Sequence, residues 1–428
     1  MITEMDVNRF ATHSLRDPRI LRILAAAIDA VDPHKAVQTH LPGLTGRVFG
    51  LGIGKAAIPM MDALAGRIPL IDGLAVCKHA SSRSRNLFAV IEGGHPIPDV
   101  RSVSAGERVL EFVSSLHEED TLVCLISGGG SALVTAPHKG VTLDDMQSLT
   151  RELLACGARI EEINTLRRQL DRIKGGGLAG ATKAKIVSLI LSDVIGNPLE
   201  AIASGPTVPD PTTREDAMAV LKKYGLEKQV PASILQVLES GRLLADDYKR
   251  ISRFQNVQNI IIGDNKLAAQ AALEQAGREG FHVEILTNEL QGEARDIGAM
   301  LAKRLRGEAV RRSRPFCLIA GGETTVTIKG GGKGGRNQEL ALSTVDELGG
   351  LENCMLISFA TDGDDGPTDA AGAVVTGESA RRAESLGMNA AGSLSRNDAY
   401  PFFEALGDLI KSGPTGTNVN DLIFLFAI

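Results

Sequence analysis

The chain has 428 residues, 43% of them hydrophobic, with no Trp, three Tyr, 47 Gly and a formal net charge of −6. That length exceeds one ordinary core and predicts two domains of roughly 150 to 250 residues each. Their interiors must be aliphatic and their backbone often sharply turned, and an acidic balance without a clustered basic excess argues against a nucleic-acid surface.

The N-terminal "MITEMDVNRF" has no apolar signal core, and no run approaches the ~18 apolar residues of a spanning helix. Cys77, Cys124, Cys156, Cys317 and Cys354 stand apart with no C-x-x-C. They read as buried thiols of a reducing compartment, so a cytoplasmic protein without a membrane partner is expected. Along the chain, short apolar runs alternate with helical periods: "RVFGLGIG", "GLAVCKH", "LFAVIEGG", "TLVCLISGGG" and "KIVSLILSDV" first, then "NIIIGDN", "HVEILTN", "FCLIAGGE" and "CMLISFATDG". Segments such as "DDMQSLTRELLACGA" and "NKLAAQAALEQAGREG" are apolar at i, i+3, i+4 and i+7. Strands apolar throughout and followed by helices predict parallel sheets covered on both faces. The expected fold is α/β, two Rossmann-like αβα domains with mostly parallel sheets, one over 1–240 and one over 258–428. The polar stretch "LESGRLLADDYKRISRFQ" reads as the linker.

Glycine-rich turns close many of these strands, where doubly wound folds bind ligands. They are "GLGIGKAA" with Gly52 and Gly54, "ISGGGSAL" with Ser127, Gly128, Gly129, Gly130 and Ser131, and "IKGGGLAG" with Lys174, Gly175 and Gly176. The second half adds "AGGETT" with Gly322, Glu323 and Thr324, and "KGGGKGGRNQE" with Gly335, Arg336 and Asn337. Backbone N–H groups in such turns can close around phosphate, and a following helix adds its positive end; a tight turn is the plainer reading of any one of them. "GLGIGKAA" is no P-loop, since that motif needs glycine at Phe49 and a hydroxyl at Ala56. It does satisfy a loose dinucleotide fingerprint through Gly52, Gly54 and Ala57, although the next strand ends in Lys78 and His79 and not in an acid. "GGGSAL" misses the nucleophile elbow at Leu133.

Lys55 and Arg336 are the two cations placed for anion chemistry. Lys55 follows a strand and two glycines, and Arg336 opens a helix whose dipole favours anions; the plainer reading of Arg336 is a salt bridge to Glu339. "ATDGDDGPTDAAGA" gathers Asp362, Asp364, Asp365 and Asp369. Its spacing does not fit an EF-hand loop. The first three acids are placed to hold hydrated Mg²⁺ on a nucleotide, or else to cap backbone amides. Asp193, ending "SLILSDV", reads as a second metal ligand or as the base that orients a substrate hydroxyl. His95 in "EGGHPIP" is a substrate-site candidate or a packed turn.

The motifs "GIGKA", "EGGHPIPD", "ISGGGSAL", "IKGGGLA", "LSDVIGNPLEAIASGPTVPDPT", "AGGETTV", "GGRNQELAL", "ATDGDDGPTDAAGAVV" and "SGPTGTNVNDL" occur in an order that resembles the type-2 glycerate kinases. The C-terminal part of that family is the MOFRL domain, here about 315–428, and its members are often labelled hydroxypyruvate reductases. The resemblance implies ATP-dependent phosphorylation of (R)-glycerate at the 2-hydroxyl with Mg²⁺, in a cleft between two Rossmann-like domains. It places the family's catalytic lysine and arginine on Lys55 and Arg336. Glycerate and ATP are then the partners, and a homodimer is admitted but not required. An NAD(P)H-dependent hydroxypyruvate reductase and a non-catalytic sugar-phosphate-binding regulator are the rival readings. The acidic loop and the paired cations, which hydride transfer leaves unused, favour the kinase.

Overall fold

A computed structural model describes residues 6–79, 87–240 and 254–428. The chain forms two compact units, Pro33–Ile262 and the residues up to Asp32 together with Gly263–Ile428. Residues 241–253 of the expected linker lie outside the described residues.

In the Pro33–Ile262 unit six strands lie side by side. They are β1 (Val48–Ile53), β2 (Asp72–Cys77), β3 (Ala89–Glu92), β4 (Thr121–Ile126), β5 (Lys185–Leu191) and β6 (Val257–Gly263), in the order β3-β2-β1-β4-β5-β6. The pairings β1–β2, β2–β3, β1–β4 and β4–β5 are parallel, as uniformly apolar strands predict. Leu51, Ile53, Leu122, Cys124 and Ile186 from these strands join Val109 and Val113 of the helix Val100–Ser114 in one core. The strand order reverses between β1 and β4, and the carboxyl ends of those two strands are where an open α/β sheet binds its ligand. The helices Leu143–Ala155, Ile160–Leu170, Arg214–Lys223 and Ala232–Glu239 close a separate apolar cluster that includes Leu149, Leu166, Leu221 and Ile234.

The second sheet runs β11-β10-β9-β12-β8-β7, from β7 (His282–Leu290), β8 (Phe316–Gly322), β9 (Cys354–Ala360), β10 (Gly372–Thr376), β11 (Leu409–Ile410) and β12 (Asp421–Ala427). Here the expectation of a mostly parallel sheet is corrected. β7–β8 is parallel, whereas β8–β12, β12–β9, β9–β10 and β10–β11 are antiparallel. Continuous burial of β8, β9 and β12 reports that both faces are covered and says nothing of direction. The acidic loop joins the adjacent antiparallel strands β9 and β10, a return that needs no crossover helix.

The expected first domain also loses its N-terminus to this second unit. The helix Pro18–Asp29 buries Ile20, Leu21, Ile23, Leu24, Ala27 and Ile28 and packs on the helix Asn265–Arg278, while Arg22 makes two bonds to Glu279, at 2.6 and 2.7 Å. Cys77, Cys124, Cys317 and Cys354 are buried and unpaired. Among the described residues no helix is long and apolar enough to cross a membrane.

Candidate active site

At the carboxyl end of β1 the chain makes its first tight approach. Gly54 has φ +124, and a Cβ there would fall 2.3 Å from Ser127 Oγ and 2.4 Å from Ser127 O. The amides of this turn are all used by the protein itself. Gly54 N–H donates to Val76 O at 3.1 Å, Lys55 N–H to Gly128 O at 2.9 Å and Ala57 N–H to Gly54 O at 3.2 Å, while Ala56 N–H reaches Ser127 Oγ at 3.0 Å. Gly52 lies under Met61 and Ala57 of the helix that follows. Gly52 and Gly54 therefore hold strand, turn and helix together and cradle no phosphate, which corrects their reading as nucleotide ligands. Ser127, 2% exposed, serves as the tie between the two turns. The Lys55 side chain is left exposed at the strand end.

The turn after β4 is built in the opposite sense. Among the described residues the N–H groups of Gly128, Gly129, Gly130 and Ser131 have no protein acceptor. Gly129 takes the left-handed conformation, φ +82, ahead of the single turn Gly130–Leu133. A Cβ on Gly128 would lie 1.9 Å from Asp193 Oδ2; one on Gly129 would lie 3.0 Å from the His95 ring and 3.4 Å from Lys55 Cγ. Lys55, His95, Asp193 and the glycine turn thus converge at the switch point. Burial, then the charges of Lys55 and Lys78, hold His95 below the ordinary histidine range, so its imidazole is neutral. Lys78, one residue past β2, joins the site as a residue that the sequence reading noted only for not being an acid. The arrangement offers a cation, unpaired amides, a neutral imidazole and one carboxylate, the parts needed to hold an anion beside a hydroxyl.

"IKGGGLAG" behaves otherwise. Lys174, 4% exposed, donates to Asp171 Oδ2 at 2.5 Å, Val134 O at 3.1 Å and Thr135 Oγ1 at 3.3 Å. Gly175 N–H and Gly176 N–H donate to Ser204 O and Gly205 O at 2.9 and 2.7 Å. The lysine and both amides are taken up by partners within the fold, which corrects Lys174, Gly175 and Gly176 to structural residues.

In the second unit Arg336 opens the helix Arg336–Leu342. Its Nε and Nη2 donate to Asp421 at 2.6 and 3.0 Å, and Nη1 donates to Glu323 at 2.5 Å. Burial opposes the charge, but Asp421 and Glu323 outweigh it and raise the guanidinium pKa. The expected alternative partner, Glu339, is buried and bonded to Arg295 at 2.6 Å instead. Asp421, at the start of β12 and 2% exposed, is the main functional neighbour that the sequence reading missed; its signal was an acid immediately before "LIFLFA". The backbone or side chain of each other ligand candidate here is engaged within the fold. Glu323 N–H is spent on Leu290 O at 2.8 Å, and Gly322 abuts the Leu290 backbone. Thr324 is 4% exposed. Asn337, 1% exposed, accepts from Ser358 Oγ at 2.6 Å.

The acidic loop divides by role. Asp365, 1% exposed, accepts from the N–H groups of Asn337 and Gln338 at 3.1 and 2.9 Å and fills the space beside Gly335. The group that caps this helix N-terminus is therefore the chain's own carboxyl, which corrects Asp365 as a metal ligand and Gly335 as a phosphate contact. Asp369 is held by Tyr400 at 2.6 Å and Lys411 at 3.2 Å. Asp364 is exposed and Asp362 half-buried, and the two are joined by an Asp364 N–H bond to Asp362 Oδ1 of 3.1 Å. Among the described residues no three His, Cys, Asp or Glu side chains gather in the manner of a metal site. Asp193 belongs to the Pro33–Ile262 unit, and within this loop the expected Asp362, Asp364 and Asp365 form no single cluster. The Asp362 and Asp364 carboxylates still suit Mg²⁺, which takes one or two such ligands together with water and nucleotide phosphates.

Comparison with known proteins agrees with this architecture. A family described as a domain of unknown function (DUF4147) matches residues 19–239, and the MOFRL family matches 316–421. The chain is 40% identical over 421 residues to the glycerate 2-kinase of Pyrococcus horikoshii, covering 94% of this chain and 95% of that one. It is 43% identical over 423 residues to the D-glycerate 2-kinase of Thermotoga maritima, with coverage of 95% and 98%. A crystal structure of a glycerate kinase from Thermotoga maritima superposes with a TM-score of 0.88 at 41% identity, covering 96% of this chain and 99% of its own. At such identity over nearly the whole length, the chain belongs to the glycerate 2-kinase family.

Proposed function

We propose that the chain is an ATP-dependent kinase that phosphorylates (R)-glycerate at its 2-hydroxyl, giving 2-phosphoglycerate and ADP. The observation that carries this reading is the contrast at the switch point. Among the described residues the amides after β4 have no protein acceptor and stand beside Lys55, whereas those after β1, where a dinucleotide pyrophosphate would sit, are occupied by Val76, Ser127 and Gly128. That occupation counts against the reductase. A purely binding regulator would not call for Asp193 packed on the same glycine turn.

Phosphoryl transfer needs position and charge neutralisation more than covalent chemistry. Lys55 and the amides of Gly128 to Ser131 are assigned to phosphate oxygens. Asp193 is assigned to accept the proton of the 2-hydroxyl, and neutral His95 to orient that hydroxyl or the neighbouring carboxylate. Arg336 is assigned to phosphate charge as well. Asp421 keeps the bidentate hold while the more exposed Glu323, 43% against 2%, gives way to the incoming anion. Mg²⁺, when bound, would offset the negative charge of the nucleotide phosphates; Asp362 and Asp364 are the carboxylates that suit it.

The test is one coupled assay on purified protein with glycerate and MgATP, and hydroxypyruvate with NADH or NADPH. ADP release with a single 2-phosphomonoester by ³¹P NMR is expected. The 3-isomer would keep the kinase and overturn the site of transfer, and steady NADH consumption without ADP would overturn the kinase.

A further inference from the structure

One strong polar cluster lies outside these roles. Arg9, on the short 3₁₀ turn Val7–Phe10, donates from Nε to Ser412 O at 2.9 Å. Its Nη2 reaches Ser412 O at 2.6 Å, Gly413 O at 3.2 Å and Pro414 O at 2.9 Å. A guanidinium is a planar fork of five donors with no acceptor, so three successive carbonyls pointed at it hold a turn that carries no ladder of its own. The neighbouring Phe10 is fully buried, its ring 5.7 Å from that of Phe359 on β9, which fixes the height at which Arg9 emerges.

The turn that Arg9 holds bears directly on the acidic loop. Thr415 N–H donates to Asp362 O at 3.2 Å, and Thr415 Oγ1 to Thr361 O at 2.6 Å. The carbonyl of Gly413 lies 2.2 Å from where a Cβ on Gly363 would stand. Thr361 in turn donates to Asn420 O through its N–H at 3.0 Å and its Oγ1 at 2.6 Å, one residue before the Asp421 that anchors Arg336. We infer that Arg9, almost the whole chain away in sequence, is a positioning residue: it sets the turn 412–415 and, through that turn, the backbone that carries Asp362 and Asp364.

This inference rests on the reading of those two aspartates as the carboxylates that meet Mg²⁺. Two readouts separate positioning from mere attachment of the N-terminal segment: amide hydrogen exchange over 361–366 and 412–417 in the ligand-free protein, and the Mg²⁺ midpoint of kinase activity. In Arg9→Ala, exchange over both stretches rises roughly ten-fold or more, because local opening is set by the bonds that hold the loop. The Mg²⁺ midpoint moves up about three-fold or more while KM for glycerate stays within about two-fold. Arg9→Lys, which keeps the charge but not the fork, recovers part of both. Arg22→Ala, which loosens the same segment at Glu279, moves neither.

Asp364→Asn separates the two levels of the claim. If it shifts the Mg²⁺ midpoint and a folded Arg9→Ala does not, the inference fails while the metal reading stands. If Asp364→Asn leaves the midpoint unmoved, the metal reading fails and takes the inference with it. Should Arg9→Ala not fold, Arg9→Lys decides by the same readouts: a partial shift is expected, and none overturns the proposal.

Discussion

"ISGGGSA" (126–132) and "IKGGGLA" (173–179) are the same local sentence twice, and the molecule reads them in opposite ways. Each places a glycine in nearly one left-handed conformation, Gly129 at φ 82, ψ −6 and Gly176 at φ 79, ψ 5, and each then starts a four-residue helix. In the first, Ser127 turns back to the neighbouring turn, and four N–H groups find no protein acceptor among the described residues. In the second, the carbonyls of Ser204 and Gly205 take the amides, and Lys174 is sealed against Asp171. Backbone shape is set by the glycines, but whether its amides are available to a ligand is decided by what the rest of the fold lays over them.

Exchanging the two lysines for alanine should break this contrast most visibly. Lys174→Ala strands a fully buried Asp171 carboxylate and should cost ~3–5 kcal/mol of stability, read as a large loss in the denaturant midpoint. Lys55→Ala touches an exposed side chain and should leave unfolding within about 0.5 kcal/mol. Its kcat should nevertheless fall ~10²-fold or more, the size expected when one preorganised charge on a transferring group is lost. A stable, active Lys174→Ala protein would mean that the second turn is not closed, and a fully active Lys55→Ala protein would remove Lys55 from the mechanism.

The glycines sharpen the comparison at a smaller scale. In Gly128→Ala the new methyl group would lie 1.9 Å from Asp193 Oδ2, so the carboxylate must move. A displacement near 1 Å at a reacting group is expected to lower kcat ~10-fold to 10²-fold, with little change in melting temperature. In Gly176→Ala the methyl group meets the Phe254 ring at 2.5 Å on a left-handed backbone. That should cost roughly 1–2 kcal/mol in conformation alone, with kcat of the folded enzyme within about two-fold. Were both substitutions to act on stability only, Asp193 would have no place in the reaction.

What the sequence could disclose follows the same division. Strand positions and the all-parallel reading of β1 to β5 were legible, because apolar runs joined by helical periods leave few other arrangements. The antiparallel returns of β9, β10 and β12 were not, since Leu356 and Leu422 look alike in either direction. Lys55 and Arg336 could be singled out from their glycine flanks. Their surroundings could not: Asp421 lies 85 residues beyond Arg336, and no spacing rule joins them. Asp365 shows the limit most clearly. An acid in a row of acids gave no hint that it alone turns inward to cap a helix that begins 29 residues earlier, at Arg336.

That inward turn leads to the finest of the expected effects. Burial pushes Asp365 up from the ordinary 3.8 to about 7; the N–H groups of Gln338 and Asn337 pull it down, and the nearby Asp421 adds to the rise. Between those two values the folded protein holds a proton that the unfolded chain has released, so this group's contribution is fully present below about pH 4 and is lost as pH rises through about 7. Asp364, exposed one residue away, offers no such buried group. In Asp365→Asn the pH-dependent part should vanish, while an amide facing two N–H donors costs about 1 kcal/mol at every pH. The variant should therefore be clearly less stable than the parent at pH 5, and the gap in urea midpoint should narrow by pH 8. A gap that stays constant from pH 5 to pH 8 would show that Asp365 is ionised throughout, held as a charged cap by the helix amides.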